Sequence, residues 1–199
     1  MSVEFWDQRY AASDFAYGTD PNKFLRDQLA IVKPGTILFP AEGEGRNAVF
    51  AAECGWNVTA FDQSVEGKLK ADRLAALRGV SFPYTINDHS DAEYAPGSFD
   101  AAALIFVHLP PHQRRAFHQK IVQYIKPGGR ILLEGFSKDQ VRYSSGGPKD
   151  ESMLFSIGEI RSDFEGMNIT KLEQTIVTLR EGQYHEGEAS VIRFVGERL

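Results

Sequence analysis

The sequence has one cysteine, Cys54, in 199 residues, so no internal disulfide can form. That excludes a disulfide scaffold and suits a reducing, cytoplasmic compartment. It has no apolar run near the roughly 20 residues a membrane helix needs. The opening Ser2-Val3-Glu4-Phe5-Trp6-Asp7 lacks the basic start and apolar stretch of a secretory signal, so neither export nor a membrane is expected. Lys and Arg are outnumbered by Asp and Glu, 22 to 27, and form no long run. Nucleic acid is therefore not expected as the main partner. There is no internal repeat or low-complexity tract, and no H-E-x-x-H motif or cysteine cluster to hold a metal. What remains, 42% hydrophobic and 25% charged, is the balance of one globular domain of ordinary size.

Punctuation divides the chain into alternating elements. An aromatic-rich start (Phe5, Trp6, Tyr10, Phe15, Tyr17) precedes Asp20-Pro21, which reads as an N-cap and first helical position. Phe24, Leu25, Gln28, Leu29 and Val32 give that helix one face, and Lys33-Pro34-Gly35 stops it. Strands follow at 36–39, 57–61, 81–86, 99–107 and 130–134. Helices at 46–53, 64–77 and from Pro111 to about Ile125 are placed among them, the last ended by Pro127-Gly128-Gly129. The 99–107 run is almost wholly apolar, as a strand buried on both faces requires. This alternation predicts an α/β protein with a parallel sheet and crossover helices. After a polar loop at 137–150, Ser156-Ile157-Gly158-Glu159 is a capping box. Runs at 171–180 and 190–195 with no helix between them read as an antiparallel hairpin.

Chemistry concentrates in Ala41-Glu42-Gly43-Glu44-Gly45-Arg46-Asn47-Ala48, between a strand and a helix. Glycines there let backbone approach a ligand, and the helix start offers unpaired amides. Asp62, directly after the second strand, suits a ribose diol. Together these favour a nucleotide-type ligand over simple tight-turn chemistry. His108 and His112 have a metal-like spacing, but Pro110 and Pro111 prevent one helical face, and no metal is expected. His118 reads as a solvated helix residue, and Cys54 as buried packing.

On the glycine loop, Val58-Thr59-Ala60-Phe61-Asp62, Ser98-Phe99-Asp100, Lys126-Pro127-Gly128-Gly129 and Glu134-Gly135-Phe136, the chain resembles the class I S-adenosylmethionine-dependent methyltransferases. Within them it is similar to the small-molecule branch of tellurite-resistance and thiopurine methyltransferases. The resemblance spans nearly the whole chain. It implies a Rossmann-like, doubly wound seven-stranded sheet, mostly parallel, closed by the C-terminal hairpin. It divides the single domain into an N-terminal lid segment (1–33), a cofactor-binding core (34–136) and a C-terminal loop, helix and hairpin (137–199). S-adenosylmethionine is the implied cofactor. By position, Gly43 and Gly45 would line its methionine part, with Phe106 beside it unless that ring is simply core, and Asp62 would bind its ribose; Ala41 and Asn47 also fall among the cofactor-binding positions. Gln63 would lie against the adenine, and Asp88, with His89 beside it, reads either as the acceptor of the adenine amino group or as an ordinary loop carboxylate.

The chain departs from the family at Phe39, usually acidic, and at Ala41, usually glycine. Backbone carbonyls near Ala41 and Phe106, or Glu42, would then hold the cofactor's ammonium. Trp6, Tyr10 and Tyr17 read either as a lid shaping the substrate site or as a hydrophobic clasp. His185 and Arg193 are the substrate-facing candidates, against a solvated hairpin loop and a strand-surface arginine. The expected activity is methyl transfer to a small molecule, with a soft nucleophile favoured because no buried base is evident. The rivals are a non-catalytic S-adenosylmethionine-binding module and an NAD-dependent oxidoreductase. A monomer or weak homodimer is expected.

Overall fold

A computed structural model describes residues 2–199. Its seven strands lie in the order β3-β2-β1-β4-β5-β7-β6. They are β1 (Thr36–Pro40), β2 (Asn57–Asp62), β3 (Tyr84–Ile86), β4 (Phe99–Ile105), β5 (Ile125–Phe136), β6 (Met167–Arg180) and β7 (Glu186–Arg198). The helices are α1 (Val3–Tyr10), α2 (Lys23–Leu29), α3 (Arg46–Glu53), α4 (Val65–Leu77), α5 (Pro111–Tyr124) and α6 (Ile157–Asp163). The sheet is mixed, with parallel β1, β2 and β3, parallel β4 and β5, and β7 antiparallel to both β5 and β6. Among the described residues, no helix is long and apolar enough to cross a membrane.

The chain forms two compact units, one running to Glu93 and including Glu181–Tyr184, the other Tyr94–Arg180 with His185–Leu199. In the first, the apolar residues of β1 and β2 are almost fully buried. Phe39, where the family usually has an acid, is a core residue with 0% exposure. A carboxylate there would need a partner that this apolar strand does not provide. In the second unit, Phe136, Leu154, Leu179, Ala189 and Val191 form one cluster. Phe164 stacks on Phe194 with ring centroids 4.4 Å apart.

Several boundaries differ from the sequence reading for local reasons. Helix α2 is capped by Asn22, whose side chain accepts the Leu25 N–H (3.0 Å), and not by Asp20. The α5 helix ends at Tyr124 and strand β5 begins at once, running through Pro127-Gly128-Gly129. Gly128 adopts φ +79°, and a Cβ on Gly129 would lie 2.8 Å from the Asp100 carbonyl oxygen. Those glycines therefore allow an irregular strand start where the sequence suggested a helix stop. The capping box is present, with Ser156 and Glu159 bonding each other's backbone N–H.

Candidate active site

The loop after β1 is held in an uncommon backbone form. Ala41, Gly43 and Gly45 have φ of +51°, +62° and +84°. Left-handed backbone costs an alanine free energy that glycine does not lose, so Ala41 is strained. Gly45 caps α3, and a Cβ there would lie 2.6 Å from Ala71 Cβ and 2.9 Å from Ala71 Cα. Gly43 is gripped through its peptide groups: its N–H donates to Asp62 Oδ2 (2.9 Å) and its carbonyl accepts from Tyr84 Oη (2.7 Å).

Asp62 ends β2 as a buried carboxylate, its other oxygen accepting the Ser64 N–H at 2.8 Å. Burial pushes its pKa up to about 6, against the pull of these amides. The Gln63 N–H also bonds this carboxylate, so three amides occupy its roughly four acceptor positions and some capacity is left. Glu42 Oε1 accepts the N–H groups of Asn47 (2.9 Å) and Ala48 (2.8 Å). The α3 amides expected to be free are thus capped by the loop itself. Burial raises the Glu42 carboxyl to about 7, although those amides and Arg46 oppose it.

Other side chains of the motif fasten the N-terminal segment. Glu44, 4% exposed, accepts the N–H of Ala16 (3.0 Å) and of Tyr17 (3.3 Å) and pairs with Lys70 (2.8 Å). Asn47 Oδ1 accepts the Asn22 N–H at 2.9 Å. Arg46 bonds the Asp20 carbonyl (3.2 Å) and Glu181 (2.7 Å), and Asn22 also donates to Glu181 (3.0 Å). Asp7 accepts from the Ser64 hydroxyl at 2.5 Å.

The aromatic residues complete this strap. Tyr10 is buried, stacks on Trp6 at 5.5 Å and meets Tyr17 edge-on at 6.4 Å. The Arg9 guanidinium lies 3.8 Å from the Tyr184 ring centroid and donates to Tyr17 Oη at 3.0 Å. Glu44, Tyr84, Asp7 and Glu181 were not singled out from sequence. Only the general rule that a buried charge needs a partner could have flagged Glu44.

Gln63 follows Asp62 and is half-buried. Asp88 is tied locally to the Ser90 N–H (2.9 Å) and hydroxyl (2.8 Å) and to His89 Nδ1 (3.0 Å). Partial burial raises its pKa, but those bonds outweigh it and hold the carboxyl below its usual range.

In the second unit, Phe106 follows β4 with φ +56°. Its ring centroid lies 4.6 Å from that of Phe136 and 4.5 Å from that of His185. His185 is buried at 6% exposure, so the solvated-loop reading fails. Arg193 pairs with Glu134 across β5 and β7 at 2.6 Å.

His108 has both ring nitrogens engaged. Nδ1 lies 2.9 Å from the Met153 carbonyl, and Nε2 accepts the Phe136 N–H at 3.0 Å. That pattern fixes the neutral Nδ1–H form, and burial lowers its pKa to about 4. His118 is not solvated but wholly buried, stacked on Phe164 at 4.8 Å and bonded to Asp163 at 3.0 Å. The face of α5 that carries it packs inward with Phe117 and Ile121. Cys54 is exposed rather than buried, because α3 ends at Glu53 and leaves it at the surface.

Residues 37–129 match a family model described as a methyltransferase domain. A thiopurine S-methyltransferase of Vibrio cholerae serotype O1 is 40% identical, with 86% of this chain and 84% of the relative covered. TehB from Haemophilus influenzae has the same fold at TM-score 0.74 and 14% identity, over 99% of this chain and 67% of its own. A structure from work on conversion of a disulfide bond into a thioacetal group during echinomycin biosynthesis aligns at TM-score 0.80 and 16% identity. It covers 98% of this chain and 91% of that one. Together with its mixed seven-stranded sheet, this likeness means that the chain belongs to the class I S-adenosylmethionine-dependent methyltransferases.

Proposed function

We propose that the protein methylates the sulfur, or a heavier chalcogen, of a small anionic acceptor. Family membership makes it an S-adenosylmethionine-dependent enzyme, which displaces the nicotinamide and non-catalytic readings. When bound, S-adenosylmethionine supplies an electrophilic methyl group on a sulfonium. The first unit fits this cofactor on one observation: buried Asp62 ends β2 as a carboxylate held by three peptide N–H groups, with acceptor capacity left over. Asp62 would take the ribose hydroxyls, the Gly43 and Gly45 turn would admit the methionine chain, and Gln63, Asp88 and His89 would meet the adenine.

The soft-acceptor reading is carried by His108. With its Nε2 accepting a peptide N–H and its pKa near 4, it is no proton acceptor for a phenol or amine near neutrality. A thiolate or selenolate arrives already deprotonated and needs only alignment. Such alignment supplies roughly 7–11 kcal/mol for well-placed groups. The names of the Vibrio and echinomycin-pathway relatives, both concerned with sulfur, agree with this. In the second unit His185 and Arg193 are assigned to the acceptor. The charge balance and lone cysteine fit a cytoplasmic monomer or weak homodimer.

The test is release of S-adenosylhomocysteine with a matched panel of thiols, selenite, tellurite, phenols and amines. Turnover of thiols or chalcogen oxyanions with phenols and amines inert is expected. Turnover confined to phenols or amines would overturn the proposal.

A further inference from the structure

Glu42 is half-buried in the glycine loop, and its two oxygens differ. Oε1 ends α3 by accepting two peptide N–H groups, at 2.9 Å and 2.8 Å. Oε2 has no hydrogen-bond partner among the described residues. Oε2 is not shut off from solvent, and the carboxylate cannot swing away without uncapping α3; the left-handed Ala41 fixes the chain just before it.

Its surroundings leave the charge under-compensated. Asp62 on β2 repels it, while Tyr10 on α1 and Tyr84 on β3 present hydroxyls whose pKa values lie well above the ordinary tyrosine value. Arg46 on α3 is the cation acting on it, and that guanidinium is bonded to Glu181 and the Asp20 carbonyl. The β1 strand offers no acid of its own, since Phe39 is core. A carboxylate oxygen held in this position and reached by solvent is an acceptor for a cationic N–H donor. The family's cofactor carries two cations, a sulfonium with no N–H and an ammonium with three.

We infer that Glu42 Oε2 receives the α-ammonium group of S-adenosylmethionine, so that a single carboxylate both ends α3 and anchors the amino-acid part of the cofactor. This rests on the cofactor reading above and adds a regulation to it. Only ionised Glu42 makes the contact, so cofactor affinity rises with pH through the carboxyl's raised pKa of about 7. Asp62 also ionises below neutrality, at about 6, and would add its own pH dependence through the ribose.

Two probes separate the carboxylates. S-adenosylhomocysteine carries ribose and ammonium, whereas 5′-methylthioadenosine carries the ribose alone. Calorimetric titrations of the full chain at pH 6 and pH 8 would give the affinity ratio of the two. The inference predicts that this ratio rises roughly tenfold, as ionised Glu42 goes from about a tenth to about nine-tenths. In Glu42→Gln the ratio should be flat with pH. S-adenosylhomocysteine should bind the variant roughly ten- to hundredfold more weakly at pH 8, with 5′-methylthioadenosine unchanged. Glutamine keeps a carbonyl acceptor for both α3 amides, so the ligand-free variant should melt at pH 8 no lower than the parent.

A flat ratio in the parent protein overturns the inference and leaves the cofactor reading intact. Equal weakening of both probes in the variant overturns it too, because it marks Glu42 as loop support only. Binding of neither probe by the parent overturns the inference together with the cofactor reading.

Discussion

Tyr10 rests against Gly43: a Cβ built on that glycine would lie 2.5 Å from the tyrosine hydroxyl. The last residue of the first helix therefore covers the middle of the glycine loop, and the loop has no room for a side chain. The same glycine has φ +62°, so Gly43→Ala meets both a clash and backbone strain. The expected cost is about 1–3 kcal/mol. Chemical denaturation checks it, and Tyr10→Ala added to Gly43→Ala should recover the part owed to the clash.

Asp62 serves the loop and, on the cofactor reading, the ligand. Asp62→Ala should weaken S-adenosylhomocysteine binding roughly ten- to hundredfold, since hydrogen bonds to a charged group are worth ~1.5–3 kcal/mol. It should also destabilise the ligand-free protein, because the amides of Gly43 and Ser64 lose their acceptor. Calorimetry on folded variant reads the first effect and denaturation the second. Unchanged affinity would remove Asp62 from the binding site.

The buried Lys70–Glu44 pair holds residues 14–17 against the motif. Removing one partner strands the other charge, at a cost of roughly 3–5 kcal/mol. Glu44→Ala should therefore open the 11–22 segment to limited proteolysis well before the β-sheet unfolds, whereas Glu44→Gln should show a milder effect. Equal protease resistance in all three proteins would contradict this role.

His108 makes a prediction about acid stability. Its folded pKa of about 4 lies below the unfolded value of 6.5, so below pH 6.5 the unfolded chain takes up a proton that the folded chain refuses. Stability from this group is complete above pH 6.5, declines as pH falls from 6.5 to about 4, and is level below that. The full loss is on the order of 3 kcal/mol. Asp62 works the opposite way: its folded pKa of about 6 exceeds the unfolded 3.8, so its contribution falls as pH rises through that window. Denaturation of parent and His108→Gln from pH 4 to 7 separates them, because the variant should lose the acid-side decline.

The alternation of elements was legible because each boundary has a local cause. Arg46–Glu53 and Val65–Leu77 stand where Gly45, Gly55, Ser64 and Gly79 place them, and the Ser156–Glu159 capping box is a local device as well. The β5 start was not legible, because Pro127-Gly128-Gly129 reads equally as a helix stop and as an irregular strand entry. Burial of His118 depends on Asp163 and Phe164, far along the chain, and a lone histidine on a helix carries no sign of them.

The glycine loop was legible as a loop but not in the direction its side chains take. The family resemblance placed Asn47 at the cofactor; spacing gave no sign that its side chain also holds Asn22. Glu42 read only as one candidate for the cofactor's ammonium, and its capping of α3 comes from contacts that only the folded turn brings together. Motif spacing fixes where backbone turns. It does not fix which long side chains fold back on neighbouring segments.

The most direct measurement is a calorimetric titration of the full chain with S-adenosylmethionine, S-adenosylhomocysteine and NAD in parallel. Micromolar binding of the first two and none of NAD is the predicted result. Binding of NAD alone, or of none of the three, would contradict it.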